Sequence, residues 1–428
     1  MKTVLISSVG GSADPVVHAV RQNAPLDFVY FLCSSGTSDT ASEHTIAHVT
    51  YRKLRGDCPN CKKKFETQVE VRPIAEQASL TQERFEVIAA ADPDDLADVH
   101  RACQEIVQRL HARFPGGEVS VLANYTGGTK TMSVGLAVAA LRNGWRLQTN
   151  HTGAGRTNLI SVQSGDIALP QDSAGILAED RLERAASLEA RHDYSGALQL
   201  LEETLVRAVI PHDLRDRVLA KRAHCQMWSA WDRLDYDNAL SIAQGHSALQ
   251  DFVARLKELR RIRDLTEGAD HWVPPSLTGM ALVEDVIANA GRCRERGRFD
   301  DAAARLYRAT ELLAQVRLRR KFGIRTSDVP QDRPEYTPST RELLAANKNE
   351  RTGRIELGLR AAYQFLAVLA DPLGQKFIQT EESVHAFLAA RNHSVLAHGL
   401  RPLSIDDAAT LAEWETWLKD MAAVGAAT

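Results

Sequence analysis

The 428-residue chain is 44% hydrophobic and 25% charged, with 52 Lys and Arg against 55 Asp and Glu, for a formal charge of −3. That composition is globular, neither disordered nor membrane-embedded, and the length suggests two or three domains. The balance of charge excludes global basicity as a route to nucleic acid, so any such contact must come from a local patch.

The N-terminal run "MKTVLISSVGGSADP" is too short for a signal peptide. No stretch approaches the ~20 apolar residues of a membrane span. Six cysteines without a secretory signal imply reduced thiols and a cytoplasmic protein.

In chain order, "TVLISSVG" reads as a first strand. "DPVVHAVRQN" follows as a helix with Asp14 at the N-cap and Pro15 in the first turn. "DFVYFLCSS" and "EVSVLANYTGGTK" repeat the strand pattern, and "TMSVGLAVAALRNG" predicts a helix closed by Gly144. "RLQTNHTG" and "NLISVQSG" suggest a closing strand pair. Strands alternating with helices predict a mainly parallel α/β sheet covered on both faces, and such sheets bind ligands beyond their carboxyl ends. The loops "SSVGGS", "CSSGTS" and "NYTGGTKT" should gather on that edge as a polar pocket. Glycines there let backbone N–H groups approach an anion closely, at helix N-termini that favour negative charge. The bland alternative for "TGGTK" is a tight strand-to-helix connection with no ligand.

From about Gly175 the pattern becomes all-α. Two helical hairpins, turning at "HDYSGA" and "GRFDDA", resemble tetratricopeptide units but predict a bundle rather than a solenoid. The Pro-rich stretch "SDVPQDRPEYTPST" separates them from a last group of helices starting near Arg341. Near the C-terminus, "AARNHSVLAHGLRP" sets Arg391 and His398 seven residues apart. That spacing is about 700° of rotation, so both should share one helix face with Ser394 and Val395, and Gly399 and Pro402 should end the helix. The helix dipole would then favour protonated His398. Arg217 and His224 have the same spacing, so the pair alone is weak; Asn392 beside the arginine singles out the later one.

These two halves resemble a known family. "SSVGGS" with "NYTGGTKTM" resembles the CARF domain, the Rossmann-like sensor of CRISPR-associated proteins. "RNHSVLAHG" resembles the R-x(4–6)-H signature of HEPN ribonucleases, and "RFDDAAARLYRATELL" the helix that precedes it in CARF–HEPN proteins of type III systems. The resemblance implies a sensor over 1–170, a helical connecting region over 171–290 and a HEPN-like domain over 291–428. Residues 39–67 fall outside the usual sensor core.

It further implies a cytoplasmic homodimer without membrane contact, activated by a cyclic oligoadenylate of four or six units and cutting single-stranded RNA without a metal cofactor. Ser7, Ser8, Gly10, Gly11 and Ser12 would line the pocket, and Asn124, Thr126, Gly127, Gly128, Thr129 and Lys130 would close it. A ring with two-fold symmetry suits an isologous interface. His398 would move the proton, Arg391 would hold the phosphate, and Asn392 would orient one of them or the RNA. Two other readings stand beside this one: a sensor that cleaves its own activator, and a non-catalytic nucleotide-sensing regulator. A dinucleotide dehydrogenase fits poorly, because "SSVGGSADP" lacks the full G-x-G-x-x-G pattern.

Cys58 and Cys61 of "CPNC", with His44 and His48 upstream, could make a structural zinc site, although a lone CxxC lacks its second pair. "LRRKFGIRTS" and "KELRRIRD" are basic runs that suit solvated helix faces or RNA steering. Trp228 and Trp231, three apart, read as core.

Overall fold

Strand β1 (Lys2–Ser8) buries every residue from Val4 to Ser8, and β2 (Phe28–Ser34) buries every residue from Phe28 to Cys33. Runs apolar on both pleat faces belong in the middle of a covered sheet. A computed structural model, which describes residues 1–35, 42–57, 64–116, 118–152, 166–171, 173–207, 210–267, 279–397 and 399–426, bears this out. The chain divides into two compact units, 1–180 with 207–211, and 181–206 with 212–428.

The first unit adds β3 (Thr50–Asp57), β4 (Lys64–Val71), β5 (Phe85–Ala90), β6 (Val119–Asn124), β7 (Arg146–Thr152) and β8 (Asp166–Gln171). Six of these strands form one sheet in the order β5-β2-β1-β6-β7-β8. All its pairings are parallel except β7 with β8. Val4, Ile6, Tyr30 and Leu32 pack on one face with Val99, Ile106 and Leu136. Leu5, Val29 and Phe31 pack on the other with Val16, Val17 and Val20. The chain lays β2 and β5 on one side of β1, then returns to place β6 on the other. That reversal makes the crevice between the ends of β1 and β6 the switch point at which such sheets hold ligands.

Several details differ from expectation. Ala13, not Asp14, is the N-cap of helix Asp14–Gln22, and Asp14 occupies the first turn. Strands β3 and β4 make a separate antiparallel pair that overlaps residues 39–67 and runs on to Val71. Strand β5 and helix Leu96–Arg113 add to the elements expected between β2 and β6. Gly144 closes helix Lys130–Asn143 at φ 68°, as expected. The run "NLISVQSG" lies outside the described residues; the partner of β7 is the segment just after it.

Among the described residues of the second unit, three hairpins, not two, share one turn with an aromatic residue after it; the turn at Ala370 (φ 56°, Asp371 N–H to the Leu366 carbonyl at 2.9 Å) closes its helix in the same way but is followed by Pro372. His192, Leu234 and Gly297 take φ values of 59°, 61° and 72°. In each case the next N–H, of Asp193, Asp235 or Arg298, donates to the carbonyl five residues back, at 2.9 to 3.0 Å. This is the Schellman closure of a helix. An aromatic residue then starts each second helix (Tyr194, Tyr236, Phe299), and Ala197, Ala239 and Ala302 are fully buried where the paired helices touch. Trp228 and Trp231 stack at 4.7 Å as core residues. Trp231 and Tyr236 both donate to Asp285, whose carboxyl burial pushes up.

Helix Phe299–Phe322 runs through the remaining bundle, among helices Met280–Glu295, Leu359–Val368, Glu381–His393 and Ala408–Ala426. Its Arg317, 2% exposed, pairs at 3.0 Å with Asp371, which is fully buried. Asp371 also caps helix Pro372–Gln379 and meets Lys321 at 2.9 Å. The described cysteines, Cys33, Cys103, Cys225 and Cys293, are buried free thiols. No helix among the described residues is long and apolar enough to cross a membrane.

Removing one partner of a buried ion pair strands the other charge. Asp371→Ala should therefore cost about 3–5 kcal/mol in denaturant unfolding, whereas Arg317→Met with Asp371→Leu should recover most of that loss. A cost below about 1 kcal/mol for the single variant would show the pair to be unimportant.

Candidate functional site

At the crevice, two loops meet backbone to backbone. A Cβ on Gly10 would lie 2.6 Å from the Gly128 nitrogen, and one on Gly127 would lie 2.5 Å from the Ser8 carbonyl oxygen. Gly128 adds a φ of +84° that L side chains rarely adopt. The glycines are therefore needed for contact between the loops as well as for turning.

The hydroxyls and amides nearby hold that contact. Buried Ser8 donates from Oγ to the Gly127 carbonyl at 2.6 Å. Asn124 accepts the Thr126 N–H through Oδ1 and donates to Asn150 Oδ1 at 2.7 Å. Thr126 Oγ1 accepts the Asn150 N–H, and Asn150 Nδ2 donates to the Pro15 carbonyl. Thr129 caps helix Lys130–Asn143 by accepting the Met132 N–H, and donates to the Pro93 carbonyl at 2.6 Å. Ser7 is buried beneath.

So the side chains of Ser8, Asn124, Thr126 and Thr129 are already engaged in building the loops. What they leave for a ligand is mostly backbone. The N–H groups of Gly10, Gly11, Ser12, Gly127 and Gly128 have no acceptor among the described residues. Ser12 is half-exposed, and Lys130 is exposed without an ion pair among the described residues. Unpaired amides, a helix N-terminus and one ammonium are the groups at this edge that could hold an anion. Asn150 escaped sequence reading; its signal was two amides, Gln148 and Asn150, on one face of an otherwise sheet-like run.

In the second unit the expected continuous helix is not found. Helix Glu381–His393 stops five residues short of position 398. Ser394 leaves helical geometry at ψ 146°, and its buried hydroxyl accepts the Leu396 N–H at 3.1 Å. Its carbonyl accepts from Ala397 and Gly399. Serine offers the backbone this local bond in place of the helical ladder, and the chain turns away. Ser394 and Val395 therefore do not continue the stripe of Arg391. Gly399 is needed for a different reason from helix termination, since a Cβ there would overlap the His393 carbonyl. His398 lies outside the described residues.

Arg391 is half-buried, with its guanidinium 4.3 Å above the Tyr307 ring and Nη1 donating to Asn392 Oδ1 at 3.1 Å. It makes no ion pair among the described residues. Helix Phe299–Phe322 also anchors the far flank of the motif, where Asp300 accepts the Leu403 N–H at 3.1 Å. Asp300 and Tyr307 are seven apart and share a helix face. One face thus holds the chain on either side of residue 398.

The rival Arg217–His224 pair serves structure, with His224 paired to Glu189 beside Lys221. The His224 hydrogen bond, against the opposing effect of burial, holds the Glu189 carboxyl down to about 2. Cys58 and Cys61 lie outside the described residues. His44 and His48 have ring centroids 6.1 Å apart, and no three His, Cys, Asp or Glu side chains converge for a metal among the described residues.

Residues 277–420, which contain Arg391, Asn392 and His398, match a family model described as the Csm6 HEPN domain. Among solved structures, Enterococcus italicus Csm6 bound to cyclic hexa-2'-fluoro-hexa-dAMP is similar, with a TM-score of 0.56 and 13% sequence identity. The match covers 99% of this chain and 94% of that one, so the likeness extends through both units as a likeness of fold. No curated protein matches.

The loop contact makes a contrast among neighbouring glycines. Gly10→Ala and Gly127→Ala should each destabilise the first unit by about 1–3 kcal/mol, because the new methyl meets backbone. Gly11→Ala has nothing within 4 Å and should stay within about 0.5 kcal/mol in thermal unfolding. Equal effects at all three positions would refute the packing account.

Proposed function

We propose, on the premise that this chain belongs to the CARF–HEPN family of CRISPR-associated proteins, that it is an endoribonuclease switched on by a cyclic oligoadenylate. The sensor is 1–170, the connecting region 171–290 and the nuclease 291–428. The observation that carries the reading is Arg391: a guanidinium beside an asparagine, within the matched HEPN segment, and without a carboxylate partner among the described residues.

The reaction needs no outside nucleophile. The 2′-hydroxyl oxygen of single-stranded RNA attacks the adjacent phosphorus and gives up its proton. The bond to the 5′-oxygen breaks, leaving a cyclic phosphate and a 5′-hydroxyl. Arg391 binds the phosphate and its developing charge, His398 carries the proton, and Asn392 orients the arginine through the bond it already makes. Because the substrate supplies the nucleophile, no metal-bound water is needed to generate one.

One histidine per chain is sparse for both acid and base duties, and a site composed from two copies supplies the second. Exposed apolar side chains support a dimer in each unit: Val134 and Val138 on the helix that begins at Lys130, and Val395, Leu396 and Leu400 after Ser394. The unpaired loop amides, Ser12 and Lys130 would take the phosphates of the activator. The protein of the similar structure is bound to a cyclic hexanucleotide analogue, which favours the six-membered ring for the first trial here. Activation requires the ligand to bind the active arrangement more tightly than the inactive one.

Purified protein mixed with cyclic tetra- and hexa-adenylate and a fluorogenic RNA tests the scheme. His398→Ala should lose about 100-fold or more of the activated rate. Undiminished cleavage by that variant would remove the residue from the mechanism. Lys130→Ala should raise the half-maximal activator concentration about tenfold with little change in maximal rate, as expected for one charged phosphate contact. An unchanged requirement would move the activator elsewhere.

A further inference from the structure

An arginine that must grip a phosphate faces a conflict. It needs a fixed geometry, yet the usual means of fixing an arginine is a carboxylate, which cancels the charge the phosphate needs. On helix Phe299–Phe322 that usual means prevails: Arg305 meets Asp301 at 2.9 Å, Arg308 meets Glu311 at 3.7 Å, and Arg317 meets Asp371 at 3.0 Å. Arg391 is held differently. Its guanidinium carbon lies 4.3 Å from the centroid of the Tyr307 ring, with no acidic partner among the described residues. A ring face attracts a cation through its quadrupole while leaving the cation's full charge in place.

The platform is itself well secured. One turn before Arg391, Phe387 stacks on Trp414 at 5.5 Å with the planes 7° apart, which sets the rotation of helix Glu381–His393. Three residues after Tyr307, buried Thr310 accepts the Trp414 indole N–H at 3.2 Å. The two helices are thus tied through one tryptophan, next to the place where arginine meets tyrosine. Partial burial and the Glu311 carboxylate beside it raise the Tyr307 phenol above its ordinary value, so the ring stays neutral.

We infer that Tyr307 is a positioning residue of the ribonuclease site, a neutral aromatic bench that orients Arg391 toward the scissile phosphate without neutralising it. The inference rests on the ribonuclease reading above and deepens it. The ring face does the positioning, and the hydroxyl is dispensable. Tyr307 contributes through Arg391 alone, which separates it from a residue that merely packs.

The test uses full-length protein, saturating activator and two readouts. In RNA cleavage, Tyr307→Leu should lower kcat/KM about tenfold, and Tyr307→Phe should stay within about threefold of the parent. Tyr307→Met serves as the second truncation should the leucine variant fail to fold, with circular dichroism as the check. The second readout is affinity for an RNA whose 2′-hydroxyls are replaced by hydrogen, so that binding is measured without cleavage. Tyr307→Leu and Arg391→Ala should each weaken it, and the double variant should be no weaker than Arg391→Ala alone. Losses that add in the double variant, or a leucine variant as active as the parent, would overturn the positioning role while leaving the ribonuclease reading intact. Undiminished cleavage by Arg391→Ala would overturn both.

Discussion

Helix Phe299–Phe322 is the element to which the C-terminal helices around Arg391 are bonded. Its 24 residues carry Asp300 against the Leu403 backbone, Tyr307 under Arg391, Thr310 bonded to both Trp414 and Tyr363, and Arg317 in a buried pair with Asp371. Each buried polar group would be costly without its partner. Satisfying them together leaves the neighbouring helices few alternative rotations or shifts. A site assembled from a short helix and an irregular turn gains its precision from this rigid support rather than from its own backbone.

The first unit solves a different problem with backbone alone. Its loops come close enough to leave several amides side by side, and side chains would keep them apart. Gly10 and Gly127 remove the obstruction, and Ser8, Asn124, Thr126 and Asn150 then clamp the loops from below. The polarity that makes "NYTGGTKT" look like a ligand-binding loop is therefore mostly internal framing. The groups left over for a ligand are N–H donors common to every residue type, which explains why the pocket's outline is easier to read than its contacts.

What could be read in advance was local. Apolar runs ending in small residues marked β1, β2 and β6, glycine after an apolar helix marked the left-handed closure at Gly144, and paired tryptophans marked a core. What could not be read depended on competition or distance. Helical periodicity carried Arg391 through to position 398, but the Ser394 hydroxyl offered its own bond and ended the helix first. The turn at Leu234 reads "RLDYDNA", with no glycine to mark it as one does in "HDYSGA" and "GRFDDA". Tyr307 resembled any half-apolar helix residue until the fold set it beneath an arginine 84 positions later in the chain.

The three equivalent turns have an evolutionary corollary. Each hairpin closes its first helix with the same backbone bond and packs its second through the same small residue, so its joints are standard fittings. A gene encoding such pieces can duplicate or drop one without redesigning its neighbours. Length differences among kindred chains in this region should accordingly come as whole helical pairs, with the Gly10–Gly128 loop contact and the Arg391–Tyr307 pair left untouched.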